Sequence, residues 1–407
     1  MQKLIAPLAV LCVLVACQPS QENSTTTSNP AMKVSYPETR TDDVQDDYFG
    51  QAVADPYRWL EDDTAEEVED WVKSQNGVTF DYLSKIPYRE SIRERYEELF
   101  NYPKVSSPFR AGDYYFFYKN DGLQNQSVIY YQKGLEGEPE VFIDPNALSE
   151  DGTVAISLMG FSKDDKYVAF SRQDAGSDWQ EIRVMEVATK TELPDVLEWV
   201  KFSGASWYND GFFYSRYPAP EEGKEYSGDN RLHSVYYHKL GNDQSEDELV
   251  YQDAENPSIY HFCSITEDEK YLILYKQPGT DGFATYVKDL EAGGDFVELF
   301  SGFTNKSTVV KNLDGSLLVR TNIDAPNYRL VKVDLANPAQ ENWQEIIPEN
   351  DNLLQAVATG GGKLFPQYLE KATTRIYQMA YDGSGKTEIK LPGFGSASGF
   401  YGKEEED

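Results

Sequence analysis

The sequence predicts a mainly-β chain: a seven-bladed β-propeller whose last blade is truncated, preceded by a short α-helical segment. Three observations point there. A unit of short strands and turns returns six times, with starts about 44 to 58 residues apart, and a seventh start falls near Ser396. That interval, with four short strands per unit, is the pattern of propeller blades. Aromatic residues are 14% of the chain, with 29 Tyr and 20 Phe, a richness that favours strands over disorder. Helical periodicity is scarce after about residue 105.

The elements follow in order. Lys3 precedes an apolar run from Leu4 to Val15, and small Ala16 precedes Cys17. The run is about half the roughly 20 residues a membrane-spanning helix needs. Residues 1–17 therefore read as a secretory signal ending in a bacterial lipobox, with Cys17 as the lipidation site. This predicts a lipid-anchored protein of the bacterial periplasm or cell envelope. Residues 18–35 are rich in Ser, Thr, Asn and Gln and read as a disordered tether.

Residues 36–105 form the N-terminal helical segment. It opens irregularly, to about residue 60, through Asp55-Pro56-Tyr57-Arg58-Trp59-Leu60-Glu61-Asp62. Thr64-Ala65-Glu66-Glu67 reads as a capping box that starts a helix over about 64–84. Val68, Trp71 and Val72 share one face of it. A second helix over 88–100 lines up Ile92, Tyr96, Leu99 and Phe100, with Glu and Arg between them. Tyr102-Pro103 ends it, because the residue before proline is pushed out of the helical region.

Residues 106–407 form the propeller. Units begin at Phe109 and Phe161, and near Ala205, Cys263, Val309 and Gln355. The turn-then-strand element recurs as Asp164-Asp165 before Tyr167–Ser171, Asp268-Glu269 before Tyr271–Leu274, and Asp314-Gly315 before Leu317–Val319. The third strand recurs in Ile182–Val187, Tyr286–Leu290, Leu330–Asp334 and Ile376–Ala380.

A formal net charge of -32 argues against nucleic acid as a partner, because phosphate binding needs clustered Lys and Arg. Of three cysteines, Cys12 leaves with the signal and Cys17 carries lipid. Cys263 alone remains, so the mature chain has no intrachain disulfide. It sits in the apolar run Tyr260–Ile265 and reads as a buried structural thiol.

Catalytic motifs are missing. A hydrolase elbow needs Gly-x-Ser-x-Gly. Gly160-Phe161-Ser162-Lys163-Asp164 fails at its last position, and Gly395-Ser396-Ala397-Ser398-Gly399 has alanine in the middle. His233, His238 and His261 are the only histidines. The first two flank Tyr236-Tyr237 on a predicted strand, where odd spacing sets them on opposite faces. They read as strand-surface or hydrogen-bonded histidines rather than metal ligands. No HExxH, paired CxxC, P-loop or GxGxxG occurs, and no cofactor is implied. The 69 acidic residues make any pair of carboxylates uninformative.

Five stretches resemble the prolyl oligopeptidases, a family of serine peptidases. They are Asp55–Asp62, Asn120–Ser127, Gly176-Ser177-Asp178-Trp179, Glu192-Leu193-Pro194-Asp195 and Asp243–Asp247. The resemblance runs from about Tyr36 to the end. It implies a seven-bladed propeller that caps an α/β-hydrolase domain and keeps folded proteins from the active site. It also implies that residues 36–105 pack on that hydrolase domain, so that their apolar helix faces lack a partner here. The implied activity is cleavage of short peptides after proline. The Ser, Asp and His of the family lie beyond the propeller, so no residue of this chain takes a catalytic role. Asp178 and Phe202 match substrate-binding residues on the propeller face, while Tyr260 and Thr280 depart from the pattern there.

The sequence thus reads as the N-terminal and propeller part of an exported prolyl oligopeptidase, inactive without its C-terminal hydrolase domain. Its partners would be that domain, short proline-containing peptides and, through lipid, the membrane. A second reading is a stand-alone propeller lipoprotein that serves as a binding or scaffold module.

Overall fold

The computed structural model describes residues 34–226 and 228–405. The expected signal with Cys17, and the tether up to residue 33, lie outside the described residues. The chain divides between Glu90 and Ser91 into two compact units.

The first unit holds a β-hairpin, Gln45–Tyr48 paired with Gln51–Ala54, and helix α1, Glu66–Ser84. The hairpin lies where the sequence read as irregular. Its turn uses Phe49 at φ 58° and Gly50 at φ 89°, and the Gly50 N–H donates to Asp47 Oδ1 at 2.7 Å. Two successive positive φ values make the tight turn that matches strand twist, normally Asn-Gly or Asp-Gly. Phenylalanine in the first position hid it. The capping box is also corrected. Ala65 is the N-cap and makes no side-chain cap bond. The Thr64 hydroxyl donates instead to Asp62 Oδ1 at 2.8 Å, and Glu67 accepts from Arg40 at 2.8 Å. Val68 is buried, whereas Val72 is exposed. Trp71 meets Trp59 edge-on at 6.5 Å and donates to Thr39 Oγ1 at 3.0 Å.

Helix α2, Arg89–Phe100, leads into the second unit with Ile92, Tyr96, Leu99 and Phe100 exposed. Among the described residues six antiparallel sheets follow, each built on four strands in chain order, the first carrying a fifth. Blade 1 comprises Phe109–Ala111, Tyr114–Asn120, Val128–Lys133 and Glu140–Ile143, with Lys104–Val105 added to its second strand. Blade 2 comprises Ala155–Phe161, Tyr167–Gln173, Gln180–Glu186 and Thr191–Val200. Blade 3 comprises Ser206–Tyr208, Gly211–Arg216, Ser234–Lys239 and Glu248–Tyr251. Blade 4 comprises Tyr260–Ile265, Tyr271–Gln277, Ala284–Asp289 and Val297–Phe300. Blade 5 comprises Ser307–Leu313, Ser316–Thr321, Arg329–Asp334 and Gln344–Ile347. Blade 6 comprises Leu353–Gly360, Lys363–Glu370, Thr373–Gln378 and Thr387–Ile389.

The seventh blade expected from near Ser396 does not form a sheet among the described residues, where Thr387–Ile389 is the last strand. A blade needs several paired strands, and this stretch supplies one length of chain. It runs beside blade 6, with Gly402 N–H donating to the Thr359 carbonyl at 2.9 Å and Gly361 N–H to that of Lys403 at 3.0 Å.

The core lies between blades rather than in one centre. Five apolar clusters join blades 1–2, 2–3, 3–4, 4–5 and 5–6 in turn. Alternation along each strand sends side chains to both faces, so each inner sheet is apolar on two sides. Ile182, Leu197, Leu272, Leu317 and Leu330 are wholly buried, each stabilising the fold by roughly 1.5–3 kcal/mol. Polar side chains also cross to the next blade's inner strand. Tyr118 OH accepts from Leu158 N–H at 3.1 Å, and Tyr275 OH from Val309 N–H at 3.2 Å. Ser215 donates to the His261 carbonyl at 2.7 Å, Thr285 to that of Ser307 at 2.9 Å, and Arg320 to that of Leu354 at 2.8 Å.

Candidate functional site

Each blade has two ends. Tight turns between first and second strands, such as 162–166, 266–270 and 314–315, gather at one end, here the turn face. The loops between second and third strands, such as 174–179, 217–233 and 278–283, and the links between blades gather at the other, the loop face.

Antiparallel order puts both sequence-predicted substrate residues on the loop face. Asp178 lies exposed in loop 174–179 of blade 2. Phe202 follows the last strand of blade 2, at φ 53° and 50% exposed. Its ring meets Tyr260, the first residue of blade 4, edge-on at 5.5 Å. Thr280, in the blade 4 loop, is exposed on the same face.

Lys201 ties the two residues together, and sequence reasoning passed it over. It is 8% exposed, with Nζ 3.7 Å from the centre of the Trp179 ring. Burial lowers the pKa of this ammonium, and the Asp178 charge partly offsets that. A cation over an indole face is attracted by the ring quadrupole, most strongly where water is scarce. Trp179 is fixed in turn by Trp199 at 5.5 Å and Tyr217 at 6.1 Å, both edge-on, and by its Nε1–H bond to the Glu225 carbonyl at 2.7 Å. The result is a rigid aromatic shelf with one cation set into it, bordered by an exposed carboxylate and an exposed phenyl ring.

The three histidines are buried and hydrogen-bonded, so of the two settings expected for His233 and His238 the hydrogen-bonded one holds. His233 packs against Tyr217 of the shelf at 4.8 Å, and His261 against Tyr251 of blade 3 at 5.2 Å. His238 sits between blades 2 and 3, where its Nε2 donates to Asp195 at 2.9 Å and its Nδ1 to Asp247 at 2.7 Å. Asp195 also accepts from Gly241 N–H at 2.6 Å, and Asp247 from Tyr214 OH at 2.6 Å. Burial alone would lower the His238 pKa, but its bonds to Asp195 and Asp247 outweigh that and raise it to about 9. Burial alone would raise Asp195, and the bonds from His238 and Gly241 hold it below its ordinary value instead. So Glu192–Asp195 and Asp243–Asp247, which carried part of the resemblance, meet at one charged seam 43 residues apart in sequence at its His238–Asp195 link. Cys263 lies half-buried in blade 4, and burial pushes its thiol up to about 12, as suits a structural thiol.

The turn face is charged. Lys163 pairs with Glu269 at 3.2 Å, Lys311 with Glu267 at 2.8 Å and Glu404 at 2.7 Å, and Lys403 with Asp165 at 2.7 Å. These pairs join blades 2, 4 and 5 to the last stretch of chain. Beside them a cavity of about 1080 Å³ is bounded by Ser107–Arg110 at the start of blade 1, Glu267 of blade 4, Thr308–Val310 of blade 5, Gln355–Thr359 of blade 6 and Tyr401–Lys403. None of the five apolar clusters joins blade 6 to blade 1.

Comparison with known proteins gives a consistent answer. Residues 36–407 match the family model described as prolyl oligopeptidase, N-terminal β-propeller domain. A prolyl endopeptidase of Elizabethkingia meningoseptica is 44% identical over 91% of this chain and 52% of its own length. Prolyl oligopeptidase A of Amanita bisporigera is 36% identical over 88% of this chain and 52% of its own. A solved structure from a study of two prolyl endopeptidases and their inter-domain dynamics superposes with a TM-score of 0.79. It is 33% identical over 89% of this chain and 54% of that one. The chain thus spans about half the length of the relatives it matches.

Proposed function

Since the chain belongs to the prolyl oligopeptidase family, through that family's N-terminal β-propeller domain, we propose that it is the propeller portion of an exported serine endopeptidase that cleaves short peptides after proline. The match across residues 36–407, by a chain half the length of its relatives, supports the peptidase part of this reading, and the apolar run Leu4–Val15 before Ala16-Cys17 supports export. In the whole protein an α/β-hydrolase domain supplies the serine, histidine and aspartate, with acyl transfer from peptide to serine and then to water. The propeller limits access to short peptides. A seventh blade fills the seam between blades 6 and 1. Residues 36–105 dock on the hydrolase domain through their exposed apolar side chains. Cys17 carries the lipid that holds the protein to the bacterial envelope. Asp178 and Phe202 face the bound peptide from the loop face. The phenyl ring gives it apolar contact, and Asp178 offers a carboxylate to a donor on the peptide or on the hydrolase domain.

The experiment compares two proteins, one made from the full coding sequence and one of these 407 residues, on a chromogenic proline-containing peptide. The full protein should release product and be blocked by a serine-directed phosphonate, and the 407-residue chain should release none. A coding sequence that lacks a Gly-x-Ser-x-Gly motif downstream, or a purified 407-residue chain with phosphonate-sensitive turnover, would overturn the proposal. The first outcome would favour a stand-alone binding propeller.

A further inference from the structure

We infer that His233 is a positioning residue for the peptide-facing end of the propeller, holding the Phe202 turn and the Tyr260 strand in one fixed relation. The inference rests on the reading of Phe202 as substrate-facing. His233 is 1% exposed, yet both ring nitrogens are engaged. Nδ1 accepts from the His261 backbone N–H at 2.9 Å. A ring nitrogen that accepts carries no proton, so the hydrogen of the neutral imidazole sits on Nε2. Nε2 donates it to the Lys201 carbonyl at 3.0 Å. His261 returns the contact, its Nδ1–H donating to the His233 carbonyl.

The two anchor points are telling. The Lys201 carbonyl belongs to the peptide group immediately before Phe202, whose φ of 53° is unfavourable for a bulky residue and persists only where its surroundings hold it. The His261 N–H belongs to the peptide group immediately after Tyr260. One imidazole therefore bridges the backbones next to both rings of the Phe202–Tyr260 pair. Tyr217 at 4.8 Å, Tyr260 at 5.8 Å and Phe262 at 5.8 Å close around it, so the bridge has little freedom to swing. Burial lowers the His233 pKa to about 4, which keeps the tautomer neutral and the Nδ1 acceptor intact at ordinary pH.

The test uses the full-length protein with His233→Phe, which keeps a ring but loses both bonds, and His233→Gln, whose amide can still donate to one backbone and accept from the other. Two readouts are taken. The first is the NMR ring-current shift of the Phe202 protons against Tyr260, measured without ligand. The second is binding, by anisotropy, of a fluorescein-labelled glycine–proline peptide whose last residue is proline, so that no bond after proline is left to cleave. In His233→Phe the ring-current shift should collapse and binding should weaken about tenfold, because the Phe202 ring is no longer held in place. His233→Gln should largely restore both. Because His233 acts through Phe202, the double variant His233→Phe/Phe202→Ala should bind no worse than Phe202→Ala alone. A folded His233→Phe protein with the ring-current shift intact overturns the inference, as do additive losses in the double variant. If His233→Phe does not fold, an unrestored ring-current shift in His233→Gln overturns it. If Phe202→Ala binds as well as the parent, or the parent binds no peptide, the substrate-facing reading fails, and the ring-current shift alone then decides the positioning role.

Discussion

Raising the pH from 6.5 to 9 should loosen the seam between blades 2 and 3, where His238 lies between Asp195 and Asp247 with its side chain wholly buried. Its pKa in the fold, about 9, stands above the ordinary 6.5. A group raised in this way contributes stability that is fully present below 6.5 and is lost as pH climbs through 9. At 1.36 kcal/mol for each tenfold change, the rise from 6.5 to about 9 corresponds to about 3 kcal/mol. For a chain of 407 residues that is a fall in melting temperature of roughly 4 °C. The assay is calorimetric melting at fixed ionic strength from pH 6 to 10, for the parent and for His238→Gln. The parent should lose stability along this limb. The variant should start lower at pH 6.5, by about 3–5 kcal/mol for two buried carboxylates left without their cation, and should lack the limb. A parent that melts at one temperature from pH 6.5 to 9.5, or a variant with the same slope, refutes the reasoning.

Further expectations follow from other sites. On the acid side, His233 is held at about 4, so it contributes stability that is full above 6.5 and falls as pH drops from 6.5 through 4. Melting of His233→Gln should show a shallower acid limb than the parent. Cys17→Ser should shift the protein from the membrane fraction to the soluble fraction after a salt wash, since two or three acyl chains anchor firmly and none does not. Retention of that variant in the membrane would contradict the lipobox reading. Gly282→Ala should destabilise the blade 4 loop by about 1–3 kcal/mol, because its Cβ would fall 2.6 Å from the carbonyl oxygens of both Phe303 and Asn305. Urea unfolding would read this, and an unchanged midpoint would contradict it.

The blades were legible because their signals are local. Asp314-Gly315 turns at φ 51° and 85°, the arrangement a tight hairpin demands, and apolar strands follow at once. The matching turns at Asp165 and Glu269 use a repeated Ser/Thr-x-Asp pattern. Ser162 donates to Asp164 at 2.6 Å and Thr266 to Asp268 at 2.6 Å, so the turn chemistry is written within a few residues. The helix α1 start was placed within two residues, but its cap was not, because Asp62 takes the Thr64 hydroxyl. The loop-face residues Asp178 and Phe202 came from resemblance alone. Lys201 and His233 gave no local sign, since their role depends on partners brought near by folding. Likewise nothing near His238 shows that Asp195, 43 residues earlier, is its counter-ion.

The order of the five apolar clusters bears on how such a chain can be made. Each cluster joins a blade only to the one before or after it in sequence. A chain with that wiring can condense progressively as it emerges from a ribosome or an export pore, each finished blade serving as the template for its successor. Long searches for distant partners are unnecessary until the two ends meet. Closure of the ring at the junction between blades 6 and 1, which none of the five clusters spans and which the proposed seventh blade would fill, then has to wait until both ends of the propeller are made.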